Sequence, residues 1–111
     1  MMSVPRFSEI DVDELDRRRN AGVVGLIDVR QPHEYEEVHV PGAVLIPFDQ
    51  LADRLHELPE GELVVICRTG ARSAMACEVL TVAGRDATNV AGGTMAWVEG
   101  GFESATGPQP S

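Results

Sequence analysis

Two short apolar runs in this chain each stop abruptly on a side chain with chemistry to offer. Val23-Val24-Gly25-Leu26-Ile27 ends at Asp28, and Leu63-Val64-Val65-Ile66 ends at Cys67. Neither run alternates between apolar and polar residues, the pattern of strands buried on both faces. Strands of that kind need helices above and below them. The segments between the runs supply helices. Asp11 suits an N-cap with Glu14 three residues on, and Asn20-Ala21-Gly22 is a stop signal. Arg17 to Arg19 then form a solvated face near the carboxyl end, where positive charge is favoured. Gln31-Pro32-His33-Glu34-Tyr35-Glu36 opens a short helix with Pro32 at its first position.

Further along, Val40-Pro41-Gly42-Ala43 reads as a turn and Val44-Leu45-Ile46 as a strand. Asp49 is expected to cap a helix that puts Leu51, Leu55 and Leu58 on one face and ends at Pro59-Glu60-Gly61. Ser73 leads into a helical run with Met75, Ala76, Val79 and Leu80 inward and Gly84 as its C-cap. Ala87 to Val90 is the last strand; Gly92-Gly93 breaks it, and Thr94 starts a short helix with Trp97 in the core. Strands alternating with helices predict an α/β fold, a mostly parallel central sheet with helices on both faces.

A length of 111 residues fits one such domain. Residues 1–7 read as a lead-in, 8–103 as the domain, and 104–111, polar and rich in Gly and Pro, as a disordered tail. The net charge of −9, with every basic residue an arginine, repels phosphate backbones and anionic lipid. Nucleic acid and membrane are therefore not expected partners. The amino terminus carries no apolar stretch of the signal-peptide kind, so the expected location is the cytoplasm, where thiols stay reduced.

Two cysteines in that setting suggest chemistry or core packing more than a disulfide. Cys67 leads directly into Arg68-Thr69-Gly70-Ala71-Arg72-Ser73. A loop of small residues between a strand end and a helix can curl so that successive N–H groups face the sulfur. Gly70 eases the curl by tolerating positive φ, and the helix start adds partial positive charge. Such a cradle lowers a thiol's pKa. Arg68 and Arg72 would add positive charge to a pocket for small anions. Arg72 stands at a helix start, where a cation is mildly unfavourable, so contact with an anionic substrate is the expected role. Ser73 is expected as an N-cap, as a donor to the sulfur, or as both. Cys77 reads as a core residue, too many helical turns from Cys67 for a disulfide. His33, His39 and His56 show no metal-ligand spacing with either cysteine, and neither metal nor cofactor is expected.

Cys67 to Ser73 closely resembles the active-site loop of the rhodanese family, in which six residues starting at the cysteine encircle the sulfur. Three other stretches resemble that family's signatures in order: Asp28-Val29-Arg30, then Glu34-Tyr35 with His39-Val40-Pro41-Gly42-Ala43, then Gly92-Gly93-Thr94-Met95-Ala96-Trp97. Val38 departs from the pattern, which commonly has glycine there. The resemblance implies a two-step sulfurtransferase: Cys67 takes a sulfane sulfur from a donor such as thiosulfate and passes it from a persulfide to cyanide, a thiol or a carrier protein. Cys67 is then the catalytic residue and Arg68, Thr69, Gly70, Ala71, Arg72 and Ser73 bind substrate. Asp28, Arg30, Glu34 and His39 brace nearby loops. Two alternatives remain at this level. A non-catalytic binding module of the same fold typically lacks the cysteine. A cysteine phosphatase or arsenate reductase needs a longer loop with arginine six positions after the cysteine, where this chain has Ser73.

Overall fold

The computed structural model describes residues 6–22 and 24–111, so most of the expected lead-in, and Val23, lie outside the described residues. Five strands form one sheet in the order β1-β5-β4-β2-β3: β1 (Ser8–Ile10), β2 (Gly25–Asp28), β3 (Val44–Leu45), β4 (Leu63–Ile66) and β5 (Ala87–Val90). Every pairing is parallel. Among the described residues five α-helices connect or flank them: α1 (Val12–Ala21), α2 (Pro32–Glu37), α3 (Phe48–Leu51), α4 (Ala71–Val82) and α5 (Gly93–Glu99).

The unbroken apolar runs are explained by two cores, one on each side of the sheet. Ile27, Leu63 and Val65 pack with Leu51, Leu58 and the inner face of α4. Their neighbours Leu26, Val64 and Ile66 pack with Leu15, Tyr35 and Trp97. Successive residues of β4 thus serve opposite cores, and each must be apolar.

Local chemistry sets the helix limits. Asp11 Oδ1 accepts the Glu14 N–H at 2.8 Å, capping α1. The reciprocal half of the expected box is absent, because the Glu14 carboxylate turns outward to Arg17 and Arg18. Gln31 precedes α2, with Pro32 at its first position. Val38 ends α2 at φ −166°, extended backbone that any residue adopts, so its departure from glycine costs nothing there.

Several expectations are corrected. Asp49 does not cap a helix: α3 starts after Pro47 and lasts one turn, and Asp49 instead accepts from Gln31 Nε2 at 3.2 Å. A separate 3-10 turn, Leu55–Glu57, comes next, so Leu51, Leu55 and Leu58 do not share one helical face. Met75 is 47% exposed, because the inward stripe of α4 falls at Ser73, Ala76, Cys77 and Leu80. The chain from 104 onward, expected to be disordered, lies as a strap along α2 and the turn after it. His39 and Ala105 exchange both backbone hydrogen bonds at 2.9 Å. Gly107 N–H donates to Glu36 O at 2.7 Å, and Gly42 N–H donates to Pro110 O at 2.6 Å. The Trp97 Nε1–H donates to Glu103 O at 2.9 Å, and Phe102 stacks on the Trp97 ring, which anchors the strap where it leaves α5. Main-chain pairing with an exposed loop is open to a polar segment whose side chains cannot build a core. Among the described residues no helix is long and apolar enough to cross a membrane.

Candidate active site

Cys67 directly follows β4, in the middle of the sheet between β2 and β5. Ligands of open parallel sheets bind beyond this carboxyl edge. The chain turns sharply there, with Gly70 at φ +111°, and α4 begins at Ala71. The turn aims the Gly70 N–H at Sγ, 3.1 Å away. The backbone N–H groups of Thr69 and Ser73 also face the sulfur, and the Ser73 hydroxyl lies 3.2 Å from it. Burial pushes the Cys67 thiol up, but the Ser73 hydroxyl and the amides of Ser73, Gly70 and Thr69 outweigh it, so the net shift is downward. The residue is only 1% exposed, yet it is enclosed by donors and not by hydrocarbon alone. Ser73 sits in the third position of α4 and is no N-cap; that place belongs to Gly70.

The loop is held from below by the start of α5. Thr94 N–H and Thr94 Oγ donate to Cys67 O at 2.9 and 3.0 Å, and Met95 N–H donates to Arg68 O at 3.0 Å. Gly93 lets α5 come this close: a Cβ there would meet Arg68 O at 2.5 Å. The residues Gly93 and Thr94 have a supporting role that spacing alone did not reveal. Asn89, on β5, is another: it is 2% exposed, and its Oδ1 lies 2.5 Å from the Ser73 hydroxyl. The signal for it was a polar residue inside a strand that is otherwise buried, which calls for a partner.

The two arginines differ. Arg72, expected to contact an anion, is engaged by Glu34 of α2 through two bonds of 2.7 and 2.8 Å. The guanidinium holds the Glu34 carboxyl down to about 2. Arg68 is exposed, forms no ion pair among the described residues, and lines a cavity of about 310 Å³ with Glu34, Thr94, Met95 and Val98. Thr69 and Ala71 are exposed on the outer side of the turn. Asp28 and Arg30 form a buried pair at 2.8 Å, and Arg30 also donates to the carbonyls of Glu34 and Val38 at 3.3 and 2.8 Å. This ties the end of β2 to α2. His39 stacks on Tyr35 and bonds its carbonyl through Nδ1 at 2.8 Å. Cys77 is fully buried and unpaired, and burial pushes its thiol up to about 12.

Fold and loop together define a parallel α/β protein that presents an amide-ringed thiol at the edge of its sheet. The Rhodanese-like domain profile matches residues 11–100. The chain belongs to that family. It is 35% identical over 98 residues to a sulfurtransferase of Allochromatium vinosum, covering 86% of this chain and 92% of that one. It is 44% identical over 88 residues to an HTH-type transcriptional regulator of Mycobacterium tuberculosis, covering 76% of this chain but 38% of the regulator. The crystal structure of a rhodanese-like domain protein from Staphylococcus aureus superposes with a TM-score of 0.78 at 35% identity, covering 82% of this chain and 91% of that one.

Proposed function

We propose that this protein is a sulfurtransferase that carries sulfur as a persulfide on Cys67. The observation that carries the reading is the ring of donors around Sγ: Gly70 N–H at 3.1 Å, the Ser73 hydroxyl at 3.2 Å, and the amides of Thr69 and Ser73. In the first step the Cys67 thiolate attacks the outer, sulfane sulfur of a donor such as thiosulfate. A new S–S bond forms, the donor's S–S bond breaks, and sulfite leaves with the bonding electron pair. In the second step a nucleophilic acceptor (cyanide, a thiol or a carrier protein) attacks the outer sulfur, and Cys67 leaves as the thiolate. Splitting the transfer in this way is nucleophilic catalysis. The loop amides, spread over Thr69, Gly70 and Ser73, stabilise the anionic sulfur between the steps.

Attack by a thiolate needs no general base, and the donors around Sγ favour that form of Cys67. Arg68, exposed beside Cys67 and without an ion pair among the described residues, is the cation available to meet an incoming anion, while Arg72 is held by Glu34. Persulfide chemistry requires a reduced thiol, which suits a cytoplasmic setting. The net charge of −9 disfavours nucleic acid and anionic lipid as partners.

The test is intact mass spectrometry after incubation with thiosulfate. The protein is expected to gain one sulfur atom, to lose it on addition of cyanide or dithiothreitol, and to gain none as Cys67→Ser. Failure to take sulfur from thiosulfate, organic persulfides or polysulfide would overturn the proposal in favour of a binding module.

A further inference from the structure

The Ser73 hydroxyl has two acceptors and one proton. Cys67 Sγ lies 3.2 Å from Ser73 Oγ, and Asn89 Oδ1 lies 2.5 Å from it. Ser73 is fully buried and Asn89 nearly so, which keeps water from supplying what either lacks. Asn89 cannot turn over to offer its NH₂ group instead. Its Nδ2 already donates to Glu9 Oε2 at 3.0 Å and to Gly70 O at 3.4 Å. A carboxylate and a carbonyl can only accept, so a flipped amide would set oxygen against oxygen at both contacts. Glu9 lies opposite Asn89 in the β1–β5 pairing, which fixes the register of this contact.

We propose that Asn89, oriented by Glu9, is a positioning residue that competes with Cys67 for the Ser73 hydroxyl proton and so sets which sulfur state the loop favours. With a neutral thiol the hydroxyl donates to Asn89, and the S–H can donate to Ser73 Oγ. When the sulfur ionises, the hydroxyl turns to it, because a charged acceptor makes the stronger bond. Asn89 Oδ1 then loses its donor while buried, which carries a penalty. In a persulfide the charge moves to the outer sulfur. The inner sulfur becomes a weak acceptor, and the hydroxyl returns to Asn89. Asn89 therefore favours the neutral and sulfur-loaded forms over the bare thiolate. The preference for the loaded form rests on the sulfur transfer proposed for Cys67; the competition for the proton does not.

Among the described residues the charged and titratable groups around this site begin with Arg68, exposed in the loop next to Cys67. Arg72, paired with Glu34, and Cys77 lie on α4; Asp28, paired with Arg30, ends β2; Glu9 lies on β1. Removing the Glu9 charge would itself favour the thiolate, so that effect must be separated from the competition.

The experiment follows the ultraviolet absorbance of the Cys67 thiolate against pH in Cys77→Ala protein. Asn89→Leu is expected to lower the midpoint by about one pH unit, and Ser73→Ala to raise it by about the same. In the double variant the midpoint should equal that of Ser73→Ala alone. A midpoint in Asn89→Leu that stays or rises, or one that still falls in the Ser73→Ala background, overturns the proposal. Glu9→Gln, on an exposed strand position, covers the case in which Asn89→Leu does not fold. Its amide can donate to Asn89 and release the flip, so its shift should be larger with Ser73 present than in Ser73→Ala; equal shifts overturn the proposal. Midpoints that move as expected in a protein that accepts no sulfur would sink the transfer reading alone. Sulfur loading with unmoved midpoints would sink the positioning alone.

Discussion

Replacing Gly93 by alanine should damage this protein far more than its single added methyl group suggests. Two effects combine. Gly93 has φ +59°, a region that costs an L side chain about 1–2 kcal/mol. The new Cβ would also stand 2.5 Å from Arg68 O and 2.6 Å from Cys67 O, against a usual carbon–oxygen contact of about 3.3 Å or more. The loop must retreat by roughly 0.7 Å or more to reach that contact distance. It cannot do so freely, because the amides of Thr94 and Met95 grip the same two carbonyls at 2.9 and 3.0 Å. Losing those bonds adds about 1 kcal/mol each, for a total near 3–4 kcal/mol. Gly101 is the control: its φ is +76° and a Cβ there meets nothing within 4 Å, so Gly101→Ala should cost only about 1–2 kcal/mol. At about 4–8 °C per kcal/mol for a domain of this size, the two melting temperatures should differ by roughly 10 °C. Thermal unfolding followed by circular dichroism reads this directly, and the alkylation rate of Cys67 should fall in Gly93→Ala as the amide ring opens. Equal melting temperatures for the two variants would refute the claim that close backbone approach, and not backbone conformation alone, holds the loop.

Glu34→Gln breaks the two-bond pair with Arg72 and should cost about 1–2 kcal/mol at neutral pH in urea unfolding. The Glu34 carboxyl is held at about 2, below its ordinary 4.5, so the pair's contribution is complete above 4.5 and fades as pH falls toward 2. The gap between wild type and Glu34→Gln should therefore close in acid, and a gap that is constant with pH would contradict the pairing. Cys77→Ala should keep full sulfur loading and lose only about 1–2 kcal/mol of stability; in the native wild type a thiol reagent should modify Cys67 and spare Cys77, whose thiol is pushed up to about 12. Removing residues 104–111 should speed hydrogen exchange at the amides of His39 and Gly42, both donors to the strap, while leaving the protection of β4 intact. Unchanged exchange at those two amides would show that the strap is not seated in solution.

How much of the fold is legible in the chain depends on how local each cause is. Strands β2 and β4 are legible because burial on both faces forces unbroken apolar runs, and Cys67 is legible because a strand end, small residues and a helix succeed one another directly in sequence. Strand β1 is not legible: Ser8-Glu9-Ile10 carries no such run, and its extended form comes from the β5 edge some 80 residues away. The strap fails for the same reason. Its Gly and Pro content argues for disorder until the partner at His39 is known. Arg72 shows what a local rule cannot see. A cation at a helix start suggests a ligand, but the carboxylate that answers it lies 38 residues back on α2. Asp49 erred in the opposite sense, as a capping residue drawn away by Gln31.

The Glu34 carboxylate that answers Arg72 bears on which anion the cradle suits. With Nη1 and Nη2 each donating to Glu34, that edge of the guanidinium is taken and does not fork onto the oxygens of a tetrahedral oxyanion. The positive potential at Cys67 comes instead from amides and one hydroxyl, all directed at a single point. Donors converging on one atom stabilise one charge at one place, the condition of a thiolate, and a phosphoryl group needs its donors spread over several oxygens. Because those donors are mostly backbone, truncating any one side chain of the loop leaves most of the ring standing. Only a change that moves the main chain, as at Gly93 beneath it, can take the ring away.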